Sequence, residues 1–288
     1  MGEARRRASL TARLIREHPF CVYCGAPATT RDHCPPRCFF EGKHAPDGYE
    51  FPACTSCQNE ARLDEQALAV LFRFRLAAQS DTALKELERL VDGVRNNQPK
   101  LAAEWTEMLP ARRKREMRKL FGVDADRLRH EGWGALNLGF LSQAVIDRFK
   151  VKLGKALNFK YNKKLFDGVI YTRDINSLTE PNFSDLMGQI LSTAPLESNP
   201  KRNGKSLKNQ FFYRCNFSPE HEAFYAVVQF SEQFIFQLIV VNWKMANELD
   251  AGADLLSDPA FSAFRFPCPL RYRDGDYCPL PVAWPSST

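Results

Sequence analysis

The sequence predicts an α+β protein in three consecutive parts: a cysteine-stapled N-terminal module, a helical middle region, and a mixed α+β C-terminal region built on an antiparallel sheet. Three observations predict it. Two C-x-x-C pairs, Cys21/Cys24 and Cys54/Cys57, bracket a stretch rich in Pro, Gly and Thr. Beyond Cys57, apolar residues recur at helical three- and four-residue spacing, and after Lys155 short runs rich in aromatic and β-branched residues take over. These shifts put the boundaries at 1–80, 81–155 and 156–288.

Taken in order, residues 8–17 read as a short amphipathic helix with Leu10, Leu14 and Ile15 on its apolar side, ended by Pro19. Phe20 to Ala53 reads as knuckles and a hairpin, with extended pieces around the cysteines and from Thr29 to His33. A helix is expected beyond Cys57, with Leu63, Ala67, Val70 or Leu71 and Phe74 on one side, which puts Asn59 on its first turn. Further helices are expected at about 82–96, 100–109, 111–120 and 140–152, separated by Asn96-Asn97-Gln98-Pro99 and by Gly132, Gly134 and Gly139. Strands are expected at Gly168 to Thr172, Phe211 to Asn216, Ala223 to Gln229 and Phe234 to Asn242. The tail from Pro267, with further prolines at 269, 279, 281 and 285, reads as irregular, and no internal repeat is visible.

Composition narrows the classes. With 288 residues and 44% of them hydrophobic, the chain can bury a sizeable core. The most apolar stretch, Phe234 to Val241, is too short to cross a bilayer and reads as a buried strand. Met1 to Phe20 carries arginines but no apolar segment or cleavage site, so a cytoplasmic location without membrane association is expected. In a reducing compartment the nine cysteines favour metal over disulfides. The excess of 40 basic over 34 acidic residues is mild, but Arg5, Arg6, Arg7, Arg13 and Arg16 crowd the N-terminus, and Arg112, Arg113, Lys114, Arg115, Arg118 and Lys119 crowd one segment. A polyanion-binding surface and a solvated helix face are equally open readings of each.

Four thiolates satisfy the tetrahedral preference of Zn2+, and a C-x-x-C turn places two of them on one side of the ion. Cys21, Cys24, Cys54 and Cys57 therefore predict a closed structural zinc site. Six cysteines fall between 21 and 57, so the set could be drawn differently; Cys34 and Cys38, flanking Pro35 and Pro36, read as packing residues. Cys215, Cys268 and Cys278 read as isolated core residues, with a second site from Cys268 and Cys278 as the weaker alternative.

Between the knuckles lies Asp32-His33. Phosphodiester hydrolysis needs a base for water and a divalent cation for the phosphate, and one carboxylate, one imidazole and one amide oxygen suffice. Asp32 is a hard oxygen ligand suited to Mg2+ or Mn2+, His33 a base of suitable pKa, and Asn59 a second oxygen donor. Adjacent strand residues point to opposite faces, so a bend encouraged by Pro35 and Pro36 is needed for both to serve one site.

The pattern Cys21-Val-Tyr-Cys24-Gly, Arg31-Asp32-His33-Cys-Pro35-Pro36, Phe51-Pro52-Ala-Cys54-Thr-Ser-Cys57-Gln-Asn59 and Asp64-Glu65 resembles the HNH (ββα-metal) endonuclease family, nearest its zinc-stapled bacterial branch. The resemblance covers residues 18 to about 67. It implies a zinc-bound ββα-metal module at the N-terminus, with Asp32 and Asn59 as ligands of a catalytic Mg2+ or Mn2+ and His33 as general base. It also implies an endonuclease acting on nucleic acid, expected to be DNA, in phage defence or a mobile element with a partner protein.

Two departures stand out. Residues 39–53 hold no Asn to prop the loop, leaving His44, Asp47 or nothing in that role, and Gln58 competes with Asn59 as the ligand. Asp64 and Glu65 read as acidic residues early in a helix or as supports of the site. His18, His44, His130 and His221 read as structural or exposed. The alternative function is a zinc module that binds nucleic acid or protein without catalysis. The C-terminal region shows no phosphate-binding glycine loop, G-x-S-x-G or H-E-x-x-H that would signal another enzyme.

Overall fold

A computed structural model describes residues 3–73, 81–130, 136–175, 192–218, 222–231, 234–250 and 270–272, with 185 and 188 singly. The protein is mixed α+β, with an N-terminal four-cysteine cluster, a helical middle and a C-terminal antiparallel sheet. Its residues group into two compact units: one of 1–37, 42–59 and 150–288, the other of 38–41 and 60–149. The cysteine segment thus shares a unit with the C-terminal region, a grouping that does not follow chain order. Among the described residues no helix is long and apolar enough to cross a membrane.

The first unit opens with α1 (Glu3–Glu17), which starts five residues before the expected position and leaves Leu10 exposed. The hairpin follows as β1 (Thr30–His33) and β2 (Glu50–Ala53), antiparallel, with His33 opposite Glu50 and Asp32 opposite Phe51. Helix α2 (Thr55–Arg73) begins before Cys57 and not after it, so Asn59 opens its second turn. The Thr29 hydroxyl accepts the Thr55 N–H at 3.1 Å, capping α2 from the residue that precedes β1.

The large sheet runs β10-β3-β9-β8-β7-β4, from β3 (Gly168–Ile175), β4 (Leu196–Glu197), β7 (Phe211–Ser218), β8 (Ala223–Phe230), β9 (Phe234–Asn242) and β10 (Leu270–Tyr272). Every neighbouring pair is antiparallel. The expected strands are present, and β10 corrects the reading of the tail as irregular at Leu270–Tyr272, which pairs with β3; the rest of the tail lies outside the described residues. A separate ribbon joins β5 (Lys201–Arg202) to β6 (Lys205–Ser206).

Both sheet faces are covered, which is why β8 and β9 read as nearly unbroken apolar runs. Val169, Tyr171, Tyr225, Val227, Ile239 and Val241 pack with Met245 and Ala246 of a short helix, Trp243–Asp250. The other face carries Ile170, Val240 and Leu238 beneath the C-terminal half of a long helix, Phe140–Asn162. At Gly154 of that helix an added Cβ would stand 3.2 Å from Ile170, so the small residue permits the close helix–sheet approach.

The helix overruns the expected end at 152 by ten residues. From Leu153 to Phe159 every residue is buried, so the one-sided pattern that marks a helix in sequence is missing. Where this helix meets the hairpin, Tyr49 donates to the Tyr213 hydroxyl at 3.0 Å, Tyr161 lies 3.0 Å from the same oxygen, and Tyr213 is fully buried.

The second unit holds the rest of α2 with α3 (Asp81–Asn97), α4 (Pro99–Thr106), α5 (Pro110–Phe121), α6 (Ala125–His130) and the start of the long helix, α7. Phe39 packs edge-on against Phe72 and Phe149, at 4.9 and 5.1 Å between centroids. The Glu104 carboxylate of α4 caps α7, accepting the N–H groups of Gly139, Leu141 and Ser142 at 2.8–3.1 Å. Asp64 holds both arms of Arg148, at 2.6 and 2.9 Å. Phe74, Gly132, Gly134, His221, Cys268 and Cys278 lie outside the described residues.

Tyr213→Phe should leave the Tyr49 and Tyr161 hydroxyls without their shared partner and cost about 2 kcal/mol. Urea unfolding measures this, and an unchanged midpoint would show that the hydroxyl cluster contributes nothing.

Candidate functional site

The first knuckle turns over Cys21–Gly25. Gly25 N–H donates to Cys21 O at 2.9 Å and Cys21 N–H to Ala26 O at 2.7 Å. Gly25 sits at φ +75°, a left-handed conformation that glycine adopts freely. In the second knuckle Cys54 precedes α2 and Cys57 lies in its first turn, with the Cys57 N–H aimed at Cys54 Sγ at 3.4 Å.

The four sulfurs of Cys21, Cys24, Cys54 and Cys57 lie within 4.8 Å of one another, with Cys24 and Cys54 at 3.6 Å. Tetrahedral thiolates at about 2.3 Å from zinc stand about 3.8 Å apart, so the donor set and spacing fit a structural Zn2+. Burial pushes the Cys24 and Cys57 thiols up, whereas the Cys57 N–H pulls the Cys54 thiol down. A dication at the centre would offset the mutual repulsion of the thiolates. Cys34 is fully buried and Cys38 Sγ approaches Glu65 O at 3.6 Å; neither belongs to the cluster. Cys215 is buried in the sheet.

Asp32 and His33 leave β1 on opposite sides, as alternation requires. Asp32 is 5% exposed, and its Oδ2 receives the Tyr23 hydroxyl at 2.9 Å and the Lys152 ammonium at 2.8 Å. Lys152 also lies 4.9 Å from the centre of the Tyr23 ring. The carboxylate therefore joins the first knuckle, the hairpin and α7. His33 is half-buried, and its Nδ1 is buried with no hydrogen-bond partner. Burial holds its pKa below the ordinary value; Arg31 and Arg37 act in the same direction, and Glu50 and Asp32 oppose them. The neutral imidazole, the form that accepts a proton, is thus favoured.

Asn59 is exposed on α2, Gln58 is half-buried, and Gln58 N–H donates to Cys54 O at 3.2 Å. Of the two residues considered for propping the loop, Asp47 makes the bonds: its carboxylate takes Arg202 Nη1 at 2.5 Å and Asn203 N–H at 3.0 Å. His44 is exposed, His18 stacks edge-on against Phe159 at 5.0 Å, and His130 is exposed. Among the described residues the four cysteines are the one group of three or more His, Cys, Asp or Glu side chains close enough to share an ion.

The basic segment at 112–119 lies on α5, where Arg115 approaches Glu116 at 3.5 Å and Arg118 approaches Asp126 at 3.8 Å. Arg13 pairs with Glu17 at 2.9 Å, and the side chains of Arg5, Arg6, Arg7 and Lys119 lie outside the described residues. Sequence reasoning missed Tyr23 and Lys152. Nothing local marks a lysine so far along the chain as the partner of Asp32. No family model, curated protein or solved structure matches the chain.

Elemental analysis of the purified protein should find about one zinc per chain, and Cys24→Ala should lose it together with the near-ultraviolet signature of the packed aromatic groups. Full retention of structure without metal would rule out a structural ion. Asp32→Ala should cost about 3 kcal/mol by removing the buried carboxylate shared by the Lys152 ammonium and the Tyr23 hydroxyl. The double change Asp32→Ala, Lys152→Met should recover part of that loss; equal losses would deny the pairing.

Proposed function

We propose that this protein is a metal-dependent endonuclease of the HNH (ββα-metal) kind, hydrolysing phosphodiester bonds of nucleic acid, with DNA as the substrate. One observation carries the reading: in the hairpin between the two cysteine knuckles, His33 has a buried Nδ1 without a hydrogen-bond partner, in surroundings that favour its neutral form. In this role His33 takes a proton from water, whose oxygen bonds to phosphorus as the bond to the leaving oxygen breaks.

Asp32 and Asn59 have the oxygen chemistry to hold Mg2+ or Mn2+, which would neutralise charge on the phosphate. Arg31 and Arg37, close enough to bias His33, would add positive charge to attract a phosphate near it. Zn2+ on the cysteines serves as scaffold. A role in phage defence or a mobile element, with a partner protein, is the context we propose, and the basic segment on α5 is a candidate phosphate track.

A second reading is favoured by the engagement of Asp32 with Tyr23 and Lys152: a zinc module that binds nucleic acid or protein without cutting. Plasmid cleavage with Mg2+ or Mn2+ separates the two. His33→Ala is expected to keep its zinc and lose roughly 10²- to 10⁴-fold in rate. Cleavage unaffected by that change would assign the activity elsewhere, and no cleavage by the unaltered protein would favour the binding module.

A further inference from the structure

The β5–β6 ribbon holds Lys201, Arg202, Lys205 and, just beyond it, Lys208, with no acidic residue from Asn199 to Lys208. Arg202 stands directly opposite Lys205. Like charges facing each other across a strand pair destabilise it, and a two-stranded ribbon has little stability to lose. Asn203 and Gly204 turn the ribbon at φ 49° and 79°, the conformation natural to an Asn-Gly turn.

The ribbon is fixed by Asp47. The Asp47 N–H donates to Lys201 O at 2.8 Å, and its carboxylate takes Arg202 and the Asn203 N–H. One acid offsets one of the facing cations. Lys201 and Lys205 are exposed, and neither side chain has a hydrogen bond or ion pair among the described residues. Lys160 adds a cation under the same loop, donating to Gly48 O at 2.8 Å over the Tyr49 ring.

Asp47 stands three residues from Glu50, the strand partner of His33. A turn at Asp47 and Gly48, the latter at φ +77°, lies between them in the chain. The B-form major groove, about 12 Å wide, admits a two-stranded ribbon. The deep, narrow groove of duplex RNA excludes one.

We propose that the β5–β6 ribbon is a finger that grips duplex DNA, with Lys201 and Lys205 on backbone phosphates. The proposal rests on the nuclease reading for its substrate class and gives that site its grip. Asp47 is a positioning residue, holding the ribbon against the loop that leads into β2.

The test measures binding apart from cutting. In a His33→Ala background, fluorescence anisotropy with a labelled duplex DNA compares the protein with its Lys201→Ala, Lys205→Ala derivative over a salt series. The double change should weaken binding roughly tenfold near 0.1 M salt and make the slope of log affinity against log salt shallower by about two. An unchanged affinity and slope would overturn the proposal. An equal loss on duplex RNA of matching sequence would overturn the commitment to DNA. Hydrolysis of bis(p-nitrophenyl) phosphate by the protein with His33 intact should be the same with and without the two lysines. If that hydrolysis is absent throughout while the salt slope still changes, the nuclease reading fails and the finger stands.

Discussion

Four sulfurs held within 4.8 Å of one another are the constraint on which the N-terminal module depends. From Phe20 to Asn59 the regular structure amounts to two four-residue strands, short helical turns and the start of α2, too little to bury a self-sufficient core. Thiols this close do not ionise together without a cation. A dication that draws them together also fixes the first knuckle against the start of α2, with the hairpin between. The Thr29–Thr55 cap repeats that connection in hydrogen bonds.

Helix α7 supplies what metal cannot, a wall for the module to rest on. One side of it lies on the sheet at Gly154, and the other meets the hairpin through Phe159 and three lysines. Lys155 Nζ donates to Tyr23 O at 2.7 Å, Lys152 reaches Asp32, and Lys160 reaches Gly48. Apolar side chains would tolerate sliding, whereas each ammonium has one seat that satisfies it. Polar contacts from α7 thus add direction to the aromatic contact that already joins the helix to the hairpin.

Sequence alone revealed the parts whose physics is local. The cysteine pairs announce their sulfur cluster because knuckle geometry is a property of a few consecutive residues. The strand Phe234–Asn242 was readable to the residue because a short run rich in β-branched and aromatic residues, flanked by polar ones, favours a buried strand. The last ten residues of α7 were hidden, since from Leu153 to Phe159 the helix is buried on every side and has no amphipathic signature. The β5–β6 ribbon was hidden for a different reason: Asn203-Gly204 is a strong turn signal, but strands of two residues carry no alternation to go with it. The roles of Lys152 and Glu104 depend on partners far away in sequence, which no local pattern encodes.

Charge placement links the site to its proposed substrate. A buried carboxylate already neutralised by Lys152 has little negative potential left to attract a dication, because two unit charges about 5 Å apart interact by about 3 kcal/mol at an effective dielectric of 20. Arg31 and Arg37 near His33, and Lys201 and Lys205 on the ribbon, add further positive charge to the same unit. On the nuclease reading such a surface would bind a catalytic cation weakly by itself. A polyanion laid across it would reverse the local potential and supply the missing oxygen ligands, so on the nuclease reading DNA binding comes first and strengthens the hold on metal. On that reading cutting would depend on the phosphate backbone lying over the hairpin, and the excess of lysine and arginine that would oppose the cation in the free protein would become the reason the substrate stays.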